Sequence, residues 1–521
     1  MKYIQGQNRS QTYLFPVSLD DAVEADNEVR LIDVFVDSLA LERFGFEIDH
    51  VENGRPAYHP RDLLKLFIYG YMNKIRSSRR LEKECKRNME VMWLLGNLHP
   101  DHNTISNFRR DNPKAIRKVF RETVSMAKYF NLIGGALIAG DSTKFRAQNS
   151  KKNNFNEKKI NRHLGYIENK LQEYNKALAQ SDGDKKDIED QIEQQKKRAD
   201  GYREIEAHLQ ETGEAQVSTS DPDSRHMIIR NNITEVAYNV QTTVDAKNNL
   251  LIDYKVTNSN DSKAMGSMLQ RAKSILRTNE FTALYDKGYH TGSEFKIAHD
   301  LNIDTLVAIP NQTVHAPDPA YDSENFTYVP EGDYYLCPQN QHLTTTGKWH
   351  KAPAYYFRRY ATTACKSCSA KDLCSKARYG KGIHRSEYHE YIEYNKERVE
   401  QNKALYKRRQ AIVEHPYGTI KRQWGFSYIM TKKGSKRASA DVGLMMTAYN
   451  LRRIINILGI ERLREYLENR IDLFFSETAN LGSILANMRV LLRKIQYWKA
   501  SFMLPVNQLS LTHIPPNYGG F

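Results

Sequence analysis

The chain has 521 residues, 40% hydrophobic and 27% charged, which is more than one hydrophobic core needs and predicts two or more domains. With 77 Lys and Arg against 62 Asp and Glu, the net charge is +15, an excess that favours a polyanionic partner such as nucleic acid. No run of about 18 apolar residues occurs, and Met1 to Gln7 lacks a charged-then-apolar leader; neither a membrane span nor export is expected, and the protein is expected in the cytoplasm, on the nucleoid.

Residues 1–135 read as helical and are expected to form an N-terminal DNA-binding domain. Val29 to Leu41 has helical apolar spacing, and Pro60 sits where a helix starts, ahead of the apolar face from Leu63 to Tyr71. Ser77 to Leu95 reads as a basic amphipathic helix or pair of helices. After the turn-forming segment His99 to Thr104, a helix begins at Ile105 and carries Arg109 and Arg110. This is a helix-turn-helix outline with those two arginines as DNA contacts, although a plain helical pair gives the same pattern.

Ala136 to Gly140 is a short apolar run ending in Asp141, a buried strand with a carboxylate at its end. Ile160, Leu164, Ile167, Leu171, Tyr174 and Leu178 form a coiled-coil seam, broken at Ser181 to Asp184 and followed by a second helical stripe. Residues 151–215 therefore predict an inserted antiparallel helical hairpin. From 216 to 310 the pattern turns to strand, hairpin, helix, strand, helix, strand, a mixed α/β sheet. One of these strands, Phe281 to Tyr285, ends in Asp286; Asp245 suits a hairpin turn. Residues 311–385 read as irregular, 386–425 as one long charged helix containing Glu414, 438–469 as an apolar-faced helix, and 470–521 as a tail.

Four of the five cysteines are Cys337, Cys365, Cys368 and Cys374, spaced C-x27-C-x2-C-x5-C. Four thiolates can close a tetrahedral structural Zn²⁺ site; reduced cysteines in a compact loop are the other reading.

A carboxylate at the end of a buried strand is costly unless paired or metal-bound. Mg²⁺ prefers hard oxygen ligands, and two such ions about 4 Å apart can hold both the attacking and the leaving oxygen at a phosphorus. Three segments resemble the bacterial insertion-sequence transposases of the DDE class: Gly140-Asp141-Ser142-Thr143-Lys144-Phe145-Arg146-Ala147, Tyr285-Asp286-Lys287-Gly288-Tyr289, and Val413-Glu414-His415-Pro416-Tyr417-Gly418-Thr419-Ile420-Lys421. Ser142 stands where Gly is common in that family. Gly54-Arg55-Pro56, Tyr69-Gly70-Tyr71, Asn103 to Arg109, Tyr238-Asn239-Val240-Gln241 and Ala448-Tyr449-Asn450-Leu451 also resemble it, so the likeness spans about residues 1–460.

The resemblance implies an RNase H-like catalytic domain made of residues 136–150, 216–310 and 386–469, with the Cys-containing insertion at 311–385. It implies that Asp141, Asp286 and Glu414 hold two Mg²⁺ (or Mn²⁺) ions for DNA cleavage and strand transfer at the ends of an insertion sequence. Lys421 and Arg409 would hold DNA phosphate, and Lys144 and Lys287 would face the cut strand. Tyr406 would stack on a flipped base or pack in the core. Arg409 lies one residue further from Glu414 than the commonest family pattern, while Glu414 and Lys421 are spaced for one helical face. The implied partners are transposon-end and target DNA, in a homodimer or larger assembly. An RNase H-like nuclease without strand joining, or a DNA-binding relic without activity, are the rival readings.

Overall fold

The structure is a computed structural model and describes residues 18–48, 57–180, 185–230, 233–311 and 315–472. Gly54-Arg55-Pro56, the Ser181 to Asp184 break and nearly all of the C-terminal tail lie outside the described residues.

Seven helices come first: α1 (Glu28–Asp37), α2 (Leu41–Phe44), α3 (Pro60–Met72), α4 (Ser78–Arg87), α5 (Met89–Leu94), α6 (His102–Asp111) and α7 (Pro113–Tyr129). Pro60 occupies the first turn of α3, where no intrahelical N–H is needed, and the His59 side chain accepts from the Arg61 N–H. Every residue from Leu63 to Met72 is buried, so α3 is a central helix. The segment from Ser77 to Leu95 is two helices because the Asn88 side chain accepts the N–H groups of Glu90 and Val91 and starts α5 afresh. Helix α6 begins three residues earlier than Ile105: the Asp101 carboxylate caps the N–H groups of Asn103 and Thr104.

Next come β1 (Leu137–Arg146), β2 (Asn154–Phe155), α8 (Glu157–Gln180), α9 (Lys186–Thr212), β3 (Val217–Ser218), β4 (Arg225–Arg230), β5 (Ile233–Asp245) and β6 (Leu251–Thr257). They are followed by α10 (Met265–Leu276), β7 (Thr282–Tyr285), α11 (Gly292–Asp300) and β8 (Asp304–Val307). The order across the main sheet is β6-β5-β1-β7-β8, with β4 sharing the β6 side of β5. Only β5 among these five runs against the others; β1, β7 and β8 are parallel neighbours. This is the RNase H-like strand arrangement, a mixed α/β sheet with helices against it. Strand β1 continues five residues past Asp141, because β5 pairs with it as far as Arg146 while β7 stops at Ala139. Asp141 is therefore mid-strand, at the point where one neighbour ends.

The expected hairpin is α8 and α9, between β1 and β4. Its apolar anchor is at the base, where Phe155, Ile160, Leu209 and Val217 cluster beside the β2–β3 pair. Residues 311–385 are not irregular. They contain β9 (Thr327–Val329), β10 (Tyr334–Leu336), β11 (His342–Lys351), β12 (Tyr356–Ala361), α12 (Lys371–Cys374) and β13 (Ile383–Ser386), with the strands joined in an antiparallel sheet of order β13-β12-β11-β10-β9. Most of β11 is exposed on both faces, so no apolar alternation marked it in the sequence.

The single long helix expected at 386–425 is two, α13 (His389–Gln401) and α14 (Lys403–Tyr417), parted at Asn402. Buried Asn395 pairs both its amide groups with the backbone of Val307, which fixes α13 to the sheet edge. After Pro416, Gly418–Gln423 winds as a π-helical turn. Helix α15 (Ser435–Leu458) runs through the centre of the molecule and contacts α3, α6, α7 and β6. Asn450 bonds both backbone groups of Leu251 on β6, and a Cβ at Gly443 would lie 2.5 Å from the Tyr254 hydroxyl, so only glycine permits this approach. Among the described residues no helix is long and apolar enough to cross a membrane.

Candidate active site

Asp141 and Asp286 come together through the sheet. Leu284 on β7 pairs in parallel with Ala139 on β1; two positions on, Asp141 continues along β1 while Asp286 follows the end of β7, near enough for its charge to act on Asp141. The Asp286 carboxylate caps the turn Lys287–Tyr289 by accepting the Gly288 N–H at 2.8 Å. Asp141 accepts the Ser142 N–H at 2.7 Å. Burial pushes the Asp141 carboxyl up to about 6; Arg409 pulls the other way, and the Asp286 charge adds to the rise.

Helix α14 covers Asp141. Arg409 Nη1 lies 3.3 Å from Asp141 Oδ2. The Tyr406 hydroxyl donates to the Tyr285 carbonyl at 3.1 Å, directly before Asp286, and the Tyr417 hydroxyl donates to the Asp141 carbonyl at 3.2 Å. Tyr406 is thus a packing and anchoring residue here. His415 is structural, 2.7 Å from the Tyr449 hydroxyl on α15.

Glu414 follows on the same helix. It is exposed and accepts from Gln410 on its own helix at 2.9 Å. Five residues separate it from Arg409, roughly 140° about the helix axis, whereas the family's commoner spacing of four would set the two nearly in line. Lys421 departs from Glu414 as well. The π-helical turn shifts its direction toward β1, where its ammonium donates to Thr143 Oγ1 at 2.9 Å and to the Lys144 carbonyl at 3.0 Å. Burial pushes the Lys421 pKa down. The expected shared face of Glu414 and Lys421 is corrected accordingly.

Lys144 is held 3.1 Å from Ser142 Oγ and 3.3 Å from Asp261 Oδ2, and Lys287 is exposed beside Asp286. Arg110 is half-exposed and pairs with Asp111 at 2.6 Å. Arg109 is not a DNA contact: it is 3% exposed and bonded to the Tyr71 hydroxyl, the Arg76 carbonyl and Asp441. Its place in the helix α6 pattern coincides with the buried stripe of Ile105 and Phe108. Asp245 is also structural, its carboxylate taking the N–H groups of Gly134, Gly135 and Lys247.

Sequence reasoning passed over Asp261, Tyr289 and Tyr417 as site residues. The available signal was Asn239 and Gln241, amides two apart on a buried strand, which a sheet puts on one face.

Among the described residues, no three His, Cys, Asp or Glu side chains stand together in a geometry that holds a metal ion. The donor chemistry still discriminates. Asp141 and Asp286 offer hard oxygens, and burial makes the Asp141 anion costly until a cation arrives. Cys337, Cys365, Cys368 and Cys374 are free thiols lining one cavity of about 30 Å³. Cys337 Sγ accepts the Gln341 N–H at 3.3 Å, and a Cβ at Gly380 would come 2.2 Å from Cys365 Cβ, so the loops close tightly around the sulfurs.

Comparison with known proteins gives two family matches: a transposase domain (DUF772) over residues 17–111 and a transposase DDE domain over residues 336–455. No curated protein matches. Among solved structures, a piggyBac transposase synaptic complex with hairpin DNA is 9% identical, with a TM-score of 0.29 over 86% of this chain and 79% of that one. A pre-cleavage Mos1 transpososome is 12% identical, with a TM-score of 0.15 over 52% of this chain and 66% of that one. A Mos1 paired-end complex with left transposon end gives 13% and 0.15 over 51% and 64%. The two matches lie on either side of Asp141 and Asp286, and the second includes Glu414, so over those two segments the chain is similar to transposases.

Proposed function

We propose that the protein binds the ends of an insertion sequence, cleaves DNA there and joins the freed 3′ ends to target DNA. The observation that supports this reading is that parallel neighbours β1 and β7 bring Asp141 and the Asp286 turn to the same end of the sheet, with Arg409 against Asp141. Asp141 and Asp286 are the two donors we assign first to divalent cations, and Glu414 on α14 is the third. Bound there, two Mg²⁺ (or Mn²⁺) ions would activate the attacking oxygen and stabilise the leaving one at each displacement.

The chain's own groups bind and orient. Arg409 offers a planar cation beside the phosphate undergoing attack, and Lys144 and Lys287 flank it. Arg110 and the exposed basic residues of α4 suit the DNA backbone away from the site. Holding two ends at once requires a homodimer or larger assembly. The four cysteines, soft donors lining one small cavity, are the set we assign to a structural Zn²⁺.

Cleavage of a duplex carrying the element's own ends, with Mg²⁺ and then Mn²⁺, tests the reading. Wild type should cut and yield joined products, while Asp141→Asn, Asp286→Asn and Glu414→Gln should not. Cutting without joining would leave a nuclease. Binding without cutting would leave an inactive DNA-binding protein.

A further inference from the structure

A second polar network borders the same site from the other face of β1. Ser142 and Lys144 alternate with Asp141 and Thr143 and so project away from α14. Their cross-strand partners on β5 are Gln241 and Asn239. These side chains gather around Asp261, which opens the short 3-10 turn after β6. Asp261 Oδ1 accepts from Asn239 Nδ2 and from Gln241 Nε2, each at 2.7 Å. Asp261 Oδ2 accepts from the Lys144 ammonium at 3.3 Å, and Lys144 donates also to Ser142 Oγ at 3.1 Å.

The network reaches the Asp286 turn. The Tyr289 hydroxyl donates to Gln241 Oε1, and Tyr289 ends the turn that Asp286 caps. A Cβ at Gly288 would lie 3.0 Å from Asp286 Oδ1 and 3.8 Å from Asp261 Oδ2, so the two acids flank one glycine. Asn239 and Gln241 are fully buried, which commits two amides to a single carboxylate. Lys144, in contrast, keeps 26% of its side chain exposed. It lines an open groove of about 550 Å³ together with Gln216, His226, Asn258, Ser259 and Asn260.

We propose that Asp261 is a positioning residue for DNA cleavage: it holds the Lys144 ammonium at the mouth of this groove, aimed at a phosphate of the strand that passes Asp141 and Asp286. The inference rests on reading the site as one that cleaves DNA. Asp261 does not touch the reacting atoms. Its carboxylate is already engaged by Asn239, Gln241 and Lys144, unlike the acids assigned to the metal ions.

The test uses the full chain, a duplex carrying the element's own ends, and Mg²⁺. Asp261→Asn should lower the single-turnover rate about 10- to 100-fold, as loss of orientation does. It should leave DNA affinity within about threefold, since no phosphate contact is removed. Lys144→Met should lower the rate similarly and reduce the salt slope of DNA binding by about one. The double variant should be no slower than the slower single variant, because both act through one ammonium. Wild-type cleavage by Asp261→Asn overturns the proposal. So do losses that multiply in the double variant, or a rate loss matched by a lost folded fraction in a melting experiment. Asp141→Asn is the separate control: if it cleaves as well as wild type, the reading of the site fails rather than the role of Asp261.

Discussion

Arg409 and Asp141 form an ion pair, 3.3 Å between Nη1 and Oδ2, across the contact of α14 with β1. The pair joins the helix to the strand that carries the first acid, and Tyr406 and Tyr417 fasten the same helix on either side of it. The compensation is incomplete, since burial still holds the Asp141 carboxyl well above its ordinary range. A partly compensated buried anion is poised for a stronger cation.

The first prediction concerns Asp141 and pH. Its folded-state pKa, about 6, exceeds the ordinary value of 3.8, so folding favours the protonated form. The metal-free protein therefore loses stability as pH rises through the window from about 4 to about 6, and the loss is complete above it. Asp141→Asn should raise thermal stability at pH 8 by up to about 3 kcal/mol and change little at pH 4. The same variant should not cleave DNA. Urea melts at the two pH values, without divalent ions, check the sign.

Arg409 should be sensitive to the shape of its cation as well as to its charge. Arg409→Lys keeps the charge but loses the planar fork and should cut cleavage about tenfold; Arg409→Ala should cut it about 100-fold or more. Arg409→Ala also leaves Asp141 without its neighbour, so its metal-free melting point should fall, most at alkaline pH. Equal rates for wild type and Arg409→Ala would remove Arg409 from the site.

Glu414 offers a sharper contrast. It is exposed and bonded to Gln410, so Glu414→Gln should leave the melting temperature unchanged. If it is the third metal donor, the same change should abolish Mg²⁺-dependent cleavage and weaken Mn²⁺ binding measured by calorimetry. Gln410→Ala should be silent in both. Full activity in Glu414→Gln would confine the site to Asp141, Asp286 and their neighbours.

These acids also show what a sequence can tell. Asp141 and Asp286 were legible because short apolar runs precede both, and parallel pairing of such strands sets their ends side by side. Glu414 was legible only as a motif, since its direction depends on a five-residue offset from Arg409 and on how α14 docks on the sheet. The sheet spanning β9 to β13 was hidden because its strands are short and exposed, with a core of only Phe326, Tyr335, Leu343, Tyr360 and Ile383. Asp261 was hidden differently: its partners lie 117, 22 and 20 residues away, so the network exists only once β1, β5 and the turn after β6 are assembled.

The thiol cavity predicts a metal requirement separate from that of the acids. Purified protein should carry one Zn²⁺ per chain by elemental analysis, and Cys368→Ser should lose it and melt at a lower temperature. Cys85 is buried in the main core, away from this cavity, and Cys85→Ala should retain the metal. Zinc content unchanged in Cys368→Ser would rule out the four-thiolate site.

The last prediction follows from the corrected role of Arg109. Its guanidinium, that of Arg76 and the Tyr71 hydroxyl surround Asp441, which is fully buried on α15. This cluster locks α3 and α6 to the central helix. Breaking one side leaves a buried charge without its partner, which typically costs about 3–5 kcal/mol. Asp441→Asn and Arg109→Met should each destabilise on that scale. Together they should cost less than the sum of the two, because the double variant leaves fewer uncompensated charges. Under conditions where it remains folded, Arg109→Met should show the wild-type salt slope for DNA binding, whereas an arginine that contacts phosphate would lower it by about one. A reduced slope would return Arg109 to the DNA interface and require α6 to leave α15 when DNA binds.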